Sequence, residues 1–253
     1  MFRPRIIPVL LLKNQGLVKS VSFKNHRYIG DPINAVKIFN DLKADELVFL
    51  DILASKERRT ISLDFVKNVG EEANMPFAVG GGITTLDHIQ KIIAAGAEKV
   101  VINTKAVLEP DFIRKASEAF GSSTIVVCID VKKKFLGKEQ TWILNGTKPT
   151  GMDPIEFAKR IEELGAGEII IQSIDRDGTM QGYDLALIRK ISETVKIPVV
   201  ALGGAGNIQH MKLAYSEAFA NGLAAGSMFV YHGARNGILI NYPEEKEIKG
   251  IVL

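Results

Sequence analysis

The chain is built from two half-length copies of one sequence pattern. Residues 43–51 (KADELVFLD) resemble 165–173 (GAGEIIIQS), and residues 75–82 (MPFAVGGG) resemble 197–204 (IPVVALGG). A single offset of 122 residues relates both pairs. A duplicated sequence predicts a duplicated structure, so the two halves should form equivalent parts of one fold.

Short apolar runs alternate with amphipathic stretches through both halves. The runs are continuously apolar, as expected for parallel strands that are covered on both faces. They comprise Ile6–Leu12, Leu47–Ile52, Phe77–Val79, Val100–Asn103, Ile125–Val131, Ile169–Ser173, Val199–Leu202 and Leu223–Ser227. Strand–helix alternation leaves a doubly wound sheet or a closed barrel. Eight units in two similar halves favour an α/β fold of the (β/α)8 TIM-barrel type with a half-barrel repeat.

The helices between these runs begin at recognisable signals. Asp31-Pro32, Asp153-Pro154 and Asn207 each precede a helical pattern of apolar residues. Residues 131–150 form a long connection in which Trp142 and Ile143 predict a hairpin. No linker interrupts the chain, so we predict one domain over residues 1–253. Its half-barrels should span about 1–120 and 121–231, with an atypical tail over 232–253.

Composition excludes several classes of protein. The net charge of +3 is too small to indicate a nucleic-acid partner. The lone Cys128 excludes a disulfide framework, and the amino-terminal apolar run is too short to span a bilayer. His26, His88, His210 and His232 lack metal-ligand spacing, so no metal is predicted. No cofactor is expected either. We expect a cytoplasmic protein without a membrane partner.

Glycines and small polar residues gather where the predicted strands end. In a barrel, these ends form one face, and glycine N–H groups at helix starts can cradle phosphate. The first cluster comprises Gly81, Gly82, Asn103 and Thr104, and the second Asp177, Gly178, Gly204, Ala205, Gly226 and Ser227. Two such clusters predict an elongated ligand with a phosphate at each end. Alternatively, the glycines only form tight turns.

The two halves differ in one carboxylate. Residues 5–13 (RIIPVLLLK) align with 124–132 (TIVVCIDVK), which places Leu11 opposite Asp130. A reaction that needed one carboxylate from each half would therefore find only Asp130.

The motifs RIIPVL, DELVFLDI, VGGGI, KVVIN, IDRDGT, GYD and GGAGN resemble, in order and spacing, the cyclase subunit (HisF) family of imidazole glycerol phosphate synthase. The similarity covers about residues 3–231. It implies a barrel for a phosphorylated small-molecule ligand, supplied with ammonia by a HisH-like glutaminase below it in a heterodimer. It also implies that Asp130 and Lys19, the latter on a mobile loop, are catalytic, whereas Leu11 replaces the family's second catalytic aspartate.

Charged residues precede four of the strands. Arg5, Glu46, Lys99 and Glu168 should meet at the amino-terminal mouth of the barrel. The resemblance implies that they gate ammonia entry, although four charges there could also simply cap the barrel with ion pairs. At the opposite mouth, Gln172, Leu202 and Val101 replace the small hydroxyl residues usual in the family, which makes that mouth bulkier and less polar.

The retained ring and the lost carboxylate favour an ammonia conduit. The tail SMFVYHGARNGILINYP resembles the sugar-amidation-associated (WbuZ-like) branch of the family. There, a barrel and a glutaminase supply an ATP-dependent sugar amidotransferase that converts an acetamido into an acetamidino group. Two alternatives remain open: a working cyclase in histidine biosynthesis, and a non-catalytic scaffold that activates the glutaminase.

Overall fold

The structure, a computed structural model, describes residues 3–134, 137–233 and 235–252. Over these residues the chain forms fourteen strands: β1 (Arg5–Lys13), β2 (Gly16–Val21), β3 (Lys24–Gly30), β4 (Leu47–Asp51), β5 (Phe77–Gly80), β6 (Lys99–Ile102), β7 (Ile125–Lys133), β8 (Glu139–Ile143), β9 (Lys148–Pro149), β10 (Glu168–Ser173), β11 (Val199–Leu202), β12 (Gly222–Ala225), β13 (Tyr231–His232) and β14 (Gly237–Ile238). The eight predicted apolar runs correspond to β1, β4, β5, β6, β7, β10, β11 and β12. The last run was predicted too long, because β12 ends at Ala225.

Those eight strands close into a parallel barrel. Each pairs with the next one along the chain, and β12 returns to β1 with Leu223 opposite Ile6. Closure leaves the barrel without a free sheet edge. The (β/α)8 prediction is therefore confirmed, and a doubly wound open sheet is excluded.

Nine α-helices lie along the described residues. They are α1 (Pro32–Asp41), α2 (Leu63–Glu72), α3 (Leu86–Ala94), α4 (Thr104–Leu108), α5 (Asp111–Phe120), α6 (Pro154–Glu163), α7 (Leu185–Ser192), α8 (Ile208–Ser216) and α9 (Glu245–Val252). Asp31, Asp153 and Asn207 accept hydrogen bonds from backbone N–H groups in the first turns of α1, α6 and α8, as their sequence signals predicted. Within residues 3–134, 137–233 and 235–252, no helix combines the length and apolar composition needed to cross a membrane.

The barrel has two hydrophobic cores. The larger one lies between the strands and the surrounding helices and includes Phe39, Ile92 and Ile161. The smaller one fills the barrel interior with Ile7, Val48 and other small aliphatic side chains. Burying each Val, Leu or Ile side chain stabilises the fold by about 1.5–3 kcal/mol. The interior is therefore a packed apolar column between the two barrel mouths.

Three additions modify the basic barrel. The β2–β3 hairpin follows β1, and the predicted hairpin near Trp142 is confirmed by antiparallel pairing of β7 with β8. The tail forms the β13–β14 hairpin and then α9, which packs against α8. Between these elements, the Tyr242 hydroxyl donates to the Ile6 carbonyl at 3.0 Å. The tail therefore reaches the amino-terminal end of β1.

Candidate functional site

The carboxyl-terminal ends of the barrel strands, which we call the upper mouth, open into a cavity of about 420 Å³. Its wall contains every residue that the sequence analysis assigned to this mouth: Leu11, Lys19, Gly81, Gly82, Val101, Asn103, Thr104, Asp130, Gln172, Asp177, Gly178, Leu202, Gly204, Ala205, Gly226 and Ser227. The fold thus brings both clusters into one enclosure. Their role as phosphate ligands stays a prediction.

The first cluster is shaped by close backbone packing. Gly82 has a φ of +65°, and a Cβ there would lie 1.7 Å from the Arg59 carbonyl oxygen. The Asn103 amide donates to the Cys128 carbonyl at 2.9 Å, and the Thr104 hydroxyl donates to Asn103 at 3.2 Å. Gly82 is therefore required by the turn itself, whether or not an anion binds beside it.

Two glycines of the second cluster pack against strand β2 of the β2–β3 hairpin. A Cβ on Gly178 would lie 2.0 Å from the Ser20 carbonyl oxygen, and one on Gly226 would lie 2.5 Å from the Lys19 ammonium nitrogen. Because Gly226 has no side chain, the Lys19 ammonium group fits against it. This arrangement would favour an anion beside Gly226 and Ser227, because the Lys19 charge lies there.

Lys19 is buried at the base of the hairpin. Its ammonium group donates to the Val9 carbonyl at 2.5 Å, and burial lowers its pKa to about 8, although the nearby Asp177 opposes the shift. The hairpin is also attached to Asp177, whose carboxylate accepts from the Ser20 hydroxyl at 2.8 Å. Lys19 thus lies in a hairpin whose residues line the cavity, and the mobility of this segment stays a prediction.

Asp130 lies near the carboxyl end of β7 and is only 7% exposed. Burial raises its pKa to about 7; the Cys128 thiol, 3.5 Å from its carboxylate, opposes that shift, and the Asp177 charge adds to it. Across the same cavity, Leu11 packs with Leu50 against the apolar interior of the barrel. Burial thus favours the protonated form of Asp130, whereas its counterpart in the other half cannot exchange a proton.

The amino-terminal ends of the strands, the lower mouth, carry a closed ring of charges. Arg5 forms ion pairs with both Glu46 and Glu168. Lys99 also contacts both, at 3.0 Å from Glu46 and 3.5 Å from Glu168. Burial disfavours the Arg5 charge, but the two carboxylates outweigh it and raise the pKa of the guanidinium. The four predicted residues meet here, whereas their role as a gate stays a prediction.

Some contacts gave no signal in the sequence. The Ser20–Asp177 bond joins residues 157 positions apart, and Tyr242 contacts Ile6 across 236 positions. Over the described parts of the chain, no three His, Cys, Asp or Glu side chains come close enough to hold a metal ion. His88 and His210 each accept a hydrogen bond from a backbone N–H in a loop next to their own helix, from Thr84 and Gly206.

Fold and cavity define a (β/α)8 barrel with its candidate site at the carboxyl-terminal face, as is usual for barrel enzymes. The sequence profile of the family described as "Histidine biosynthesis protein" matches residues 5–235. The chain belongs to this family and, within it, to the HisF proteins. The predicted family is thereby confirmed, while its sugar-amidation branch stays a prediction.

Three relatives illustrate the similarity. A provisionally named imidazole glycerol phosphate synthase subunit HisF from Leptospira borgpetersenii is 48% identical over 244 residues, covering 96% of each chain. The provisionally named subunit hisF2 from Pseudomonas aeruginosa is 44% identical, covering 98% of this chain and 99% of its own. The imidazole glycerol phosphate synthase subunit HisF of Methanococcus maripaludis is 44% identical, covering 91% and 92%.

Proposed function

We propose that this chain is the barrel subunit of a glutamine-dependent amidotransferase complex in the sugar-amidation branch of the family. It accepts ammonia from a HisH-like glutaminase bound at the lower mouth. The ammonia leaves at the upper mouth and serves an ATP-dependent sugar amidotransferase. That enzyme converts an acetamido group of a surface-polysaccharide or nucleotide sugar into an acetamidino group.

The observation that carries this proposal is Leu11 in the cavity wall that also holds Asp130. General acid–base catalysis contributes about 10²–10⁴-fold to a rate, and an aliphatic side chain contributes none of it. With Leu50, Val101 and Leu202 in the same wall, the upper mouth offers an apolar surface where a cyclase needs a second proton-transfer group.

The lower mouth and the barrel interior support a conduit. In the ring, Arg5 and Lys99 each contact both Glu46 and Glu168, so the ion pairs lie across the barrel axis. Beyond the ring, the interior is aliphatic, with Ile7 among its members. Such a column disfavours ions far more than neutral molecules. It therefore suits ammonia rather than ammonium, once the ring has rearranged to admit it.

The second candidate is the cyclase activity itself. Asp130, Lys19 and both glycine-rich clusters favour it, as do the names of the relatives. A cyclase assay with the bis-phosphorylated aminoimidazole-carboxamide ribonucleotide and excess ammonium salt distinguishes the two. Negligible turnover supports the conduit, and turnover near that of an ordinary cyclase removes it.

The coupling between glutamine hydrolysis and sugar amidation tests the conduit directly. The barrel is combined with the glutaminase encoded beside it and with the sugar amidotransferase, and the ratio of amidated product to glutamate is measured at saturating glutamine. Arg5→Ala should lower this ratio while partner affinity changes little, because buried apolar and aromatic anchors provide most interface energy.

Arg3→Ala is the matched control for the coupling assay. Arg3 pairs with Asp45 at the same end of the barrel, but neither residue belongs to the ring. The ratio should therefore stay unchanged in this variant. If the ratio is also unchanged in Arg5→Ala, the conduit is ruled out and the non-catalytic scaffold remains. If the barrel does not bind the glutaminase at all, both the conduit and the scaffold are ruled out.

A further inference from the structure

Two hairpins that are added to the basic barrel meet beside the upper mouth. The Arg27 side chain of β3 lies over the ring of Tyr231 on β13, with 5.8 Å between its guanidinium carbon and the ring centre. On β14, Ile238 is the cross-strand partner of Tyr231. These contacts join the described residues of 16–30 and 231–239 into one surface, which we call the two-hairpin surface.

Large apolar side chains are exposed on the two-hairpin surface. Tyr28 is 64% exposed and Leu239 is 56% exposed, and Val21 and Ile238 are also exposed. They are four of the ten exposed large hydrophobic side chains among the residues that the structure describes. Exposed apolar residues scattered singly over a protein are ordinary, whereas their concentration on two hairpins that touch indicates an interaction surface.

The same part of the molecule carries positive charge and no carboxylate. Residues 13–30 and 231–243 contain no Asp or Glu, although the whole chain has 29. Their cations are Lys13, Lys19, Lys24, Arg27 and Arg235. None of these five forms an ion pair with another described residue. The charge on this surface therefore favours an acidic partner.

The two-hairpin surface is continuous with the cavity of the upper mouth. Lys19, Phe23 and His26 of the β2–β3 hairpin lie in the cavity wall. Val21 and Tyr28 of the same hairpin are exposed to solvent. A molecule on this surface would therefore lie beside the opening through which, in the proposed function, ammonia leaves. The glutaminase is assigned to the opposite mouth, so the two partners would not compete.

We propose that the two-hairpin surface docks the enzyme that consumes the ammonia, the sugar amidotransferase, through a face that is acidic and carries apolar side chains. The inference rests on the proposed function, which supplies the need for such a partner. An enzyme held at the exit meets ammonia at a raised effective concentration, whereas ammonia released into water is diluted. A protein suits this surface better than a lipid bilayer, because Tyr and Arg are enriched at protein interfaces.

The test measures binding of the purified barrel–glutaminase complex to the sugar amidotransferase that is encoded with it. Tyr28→Ser and Leu239→Ser should each weaken this binding by about tenfold or more, because a few anchoring side chains provide most interface energy. Both side chains are exposed in the free barrel, so its Tm should change little. Ile38→Ser is the matched control and should leave the binding unchanged, because Ile38 is exposed on α1, outside both hairpins.

Charge reversal tests whether the partner is acidic. Lys24→Glu should weaken the binding and reduce its dependence on salt concentration, because charges at the rim of an interface act through long-range, screened attraction. Lys115→Glu makes the same change at an exposed lysine on α5 and should have neither effect. If Tyr28→Ser or Leu239→Ser does not fold, Lys24→Glu and the salt dependence of the wild type decide.

Equal binding of the amidotransferase by the wild type and by these three surface variants overturns the proposal, as does absence of binding by the wild type. Another occupant also overturns it: the wild-type complex would then bind vesicles of phosphatidylglycerol, or a second copy of itself, through Tyr28 and Leu239.

The ratio of amidated product to glutamate separates this inference from the proposed function. A high ratio in the wild type that is unchanged in Tyr28→Ser would keep the conduit and remove the docking surface. Binding that depends on Tyr28, without transfer of glutamine-derived ammonia to the sugar, would keep the docking surface and remove the conduit.

Discussion

The two mouths of the barrel bury carboxylates to a similar extent but treat them differently. At the lower mouth, Glu46 and Glu168 are 3% and 7% exposed, and each contacts both Arg5 and Lys99. At the upper mouth, Asp130 is 7% exposed, and no ion pair with a cation forms there among the described residues. The difference teaches that burial alone does not define a site. A carboxylate with its cations in place holds the structure together, whereas one without them is available to a ligand or a proton.

The largest expected effect that tests this difference between the two mouths is on cyclase turnover. If the upper mouth is unsuited to cyclase chemistry because Leu11 cannot transfer a proton, wild-type turnover should lie about 10²–10⁴-fold below that of a two-carboxylate cyclase. Leu11→Asp should raise the turnover and Leu11→Asn, similar in shape, should not. Steady-state assays with the bis-phosphate substrate and ammonium measure it. Ordinary turnover in the wild type would contradict the distinction between the mouths.

A second test concerns the stability cost of Asp130. Its folded pKa of about 7 lies above the ordinary value of 3.8, so the folded state holds the proton more tightly and the wild type loses stability as pH rises from about 4 to 7. Asp130→Asn avoids this loss. It should be more stable than wild type by up to about 4 kcal/mol above pH 7, and by nothing below pH 4. Urea denaturation across this pH range measures the difference.

Asp51→Asn provides the contrast for that measurement. Asp51 pairs with Arg59 at the upper mouth, so its replacement removes an ion pair and should not stabilise the chain. If Asp130→Asn also failed to stabilise the chain at neutral pH, the Asp130 carboxylate would have to be stabilised by a partner that is not seen around it.

A third test concerns the lower mouth. Removing one member of a buried ion-pair network leaves charges unpaired, which costs about 3–5 kcal/mol for a fully buried pair. The Arg5 side chain is 32% exposed and Lys99 still serves both carboxylates, so Arg5→Ala should cost about 2–3 kcal/mol. Arg3→Ala, which breaks a more exposed pair, should cost about 1 kcal/mol or less. Equal losses of stability in Arg5→Ala and Arg3→Ala would show that the ring stabilises the fold no more than an exposed ion pair does.

The smallest expected effect is anion binding at the upper mouth. Sulfate should bind beside Gly82 and Asn103 and beside Gly204 and Ser227, and a roughly fivefold excess over its Kd adds about 1 kcal/mol of stability. Crystals grown in sulfate test both positions. Ser227→Ala should weaken only the second and Thr104→Val only the first. Empty density at both would show that the glycines serve the turns alone.

The sequence by itself determined the parts of the structure that depend on local pattern. Continuous apolar runs and Asp-Pro or Asn caps predicted the eight barrel strands and helix starts, because burial and capping act within a few residues. The internal repeat predicted that both halves contribute to one barrel. Since all parallel strands begin at one mouth and end at the other, positions such as Arg5 and Glu168 could also be assigned to a mouth from sequence alone.

Only the tertiary structure decided how individual polar atoms are paired. The sequence placed Gln172 in the upper mouth but could not show that its amide nitrogen is taken by Asp177 while its oxygen is left free. Nor could it show the hairpin closing on Asp177, or the tail reaching Ile6 through Tyr242. The physical reason is that a hydrogen bond depends on atoms placed to within a few tenths of an ångström. Chain closure brings these atoms together from segments far apart in the sequence, where no local pattern records the pairing.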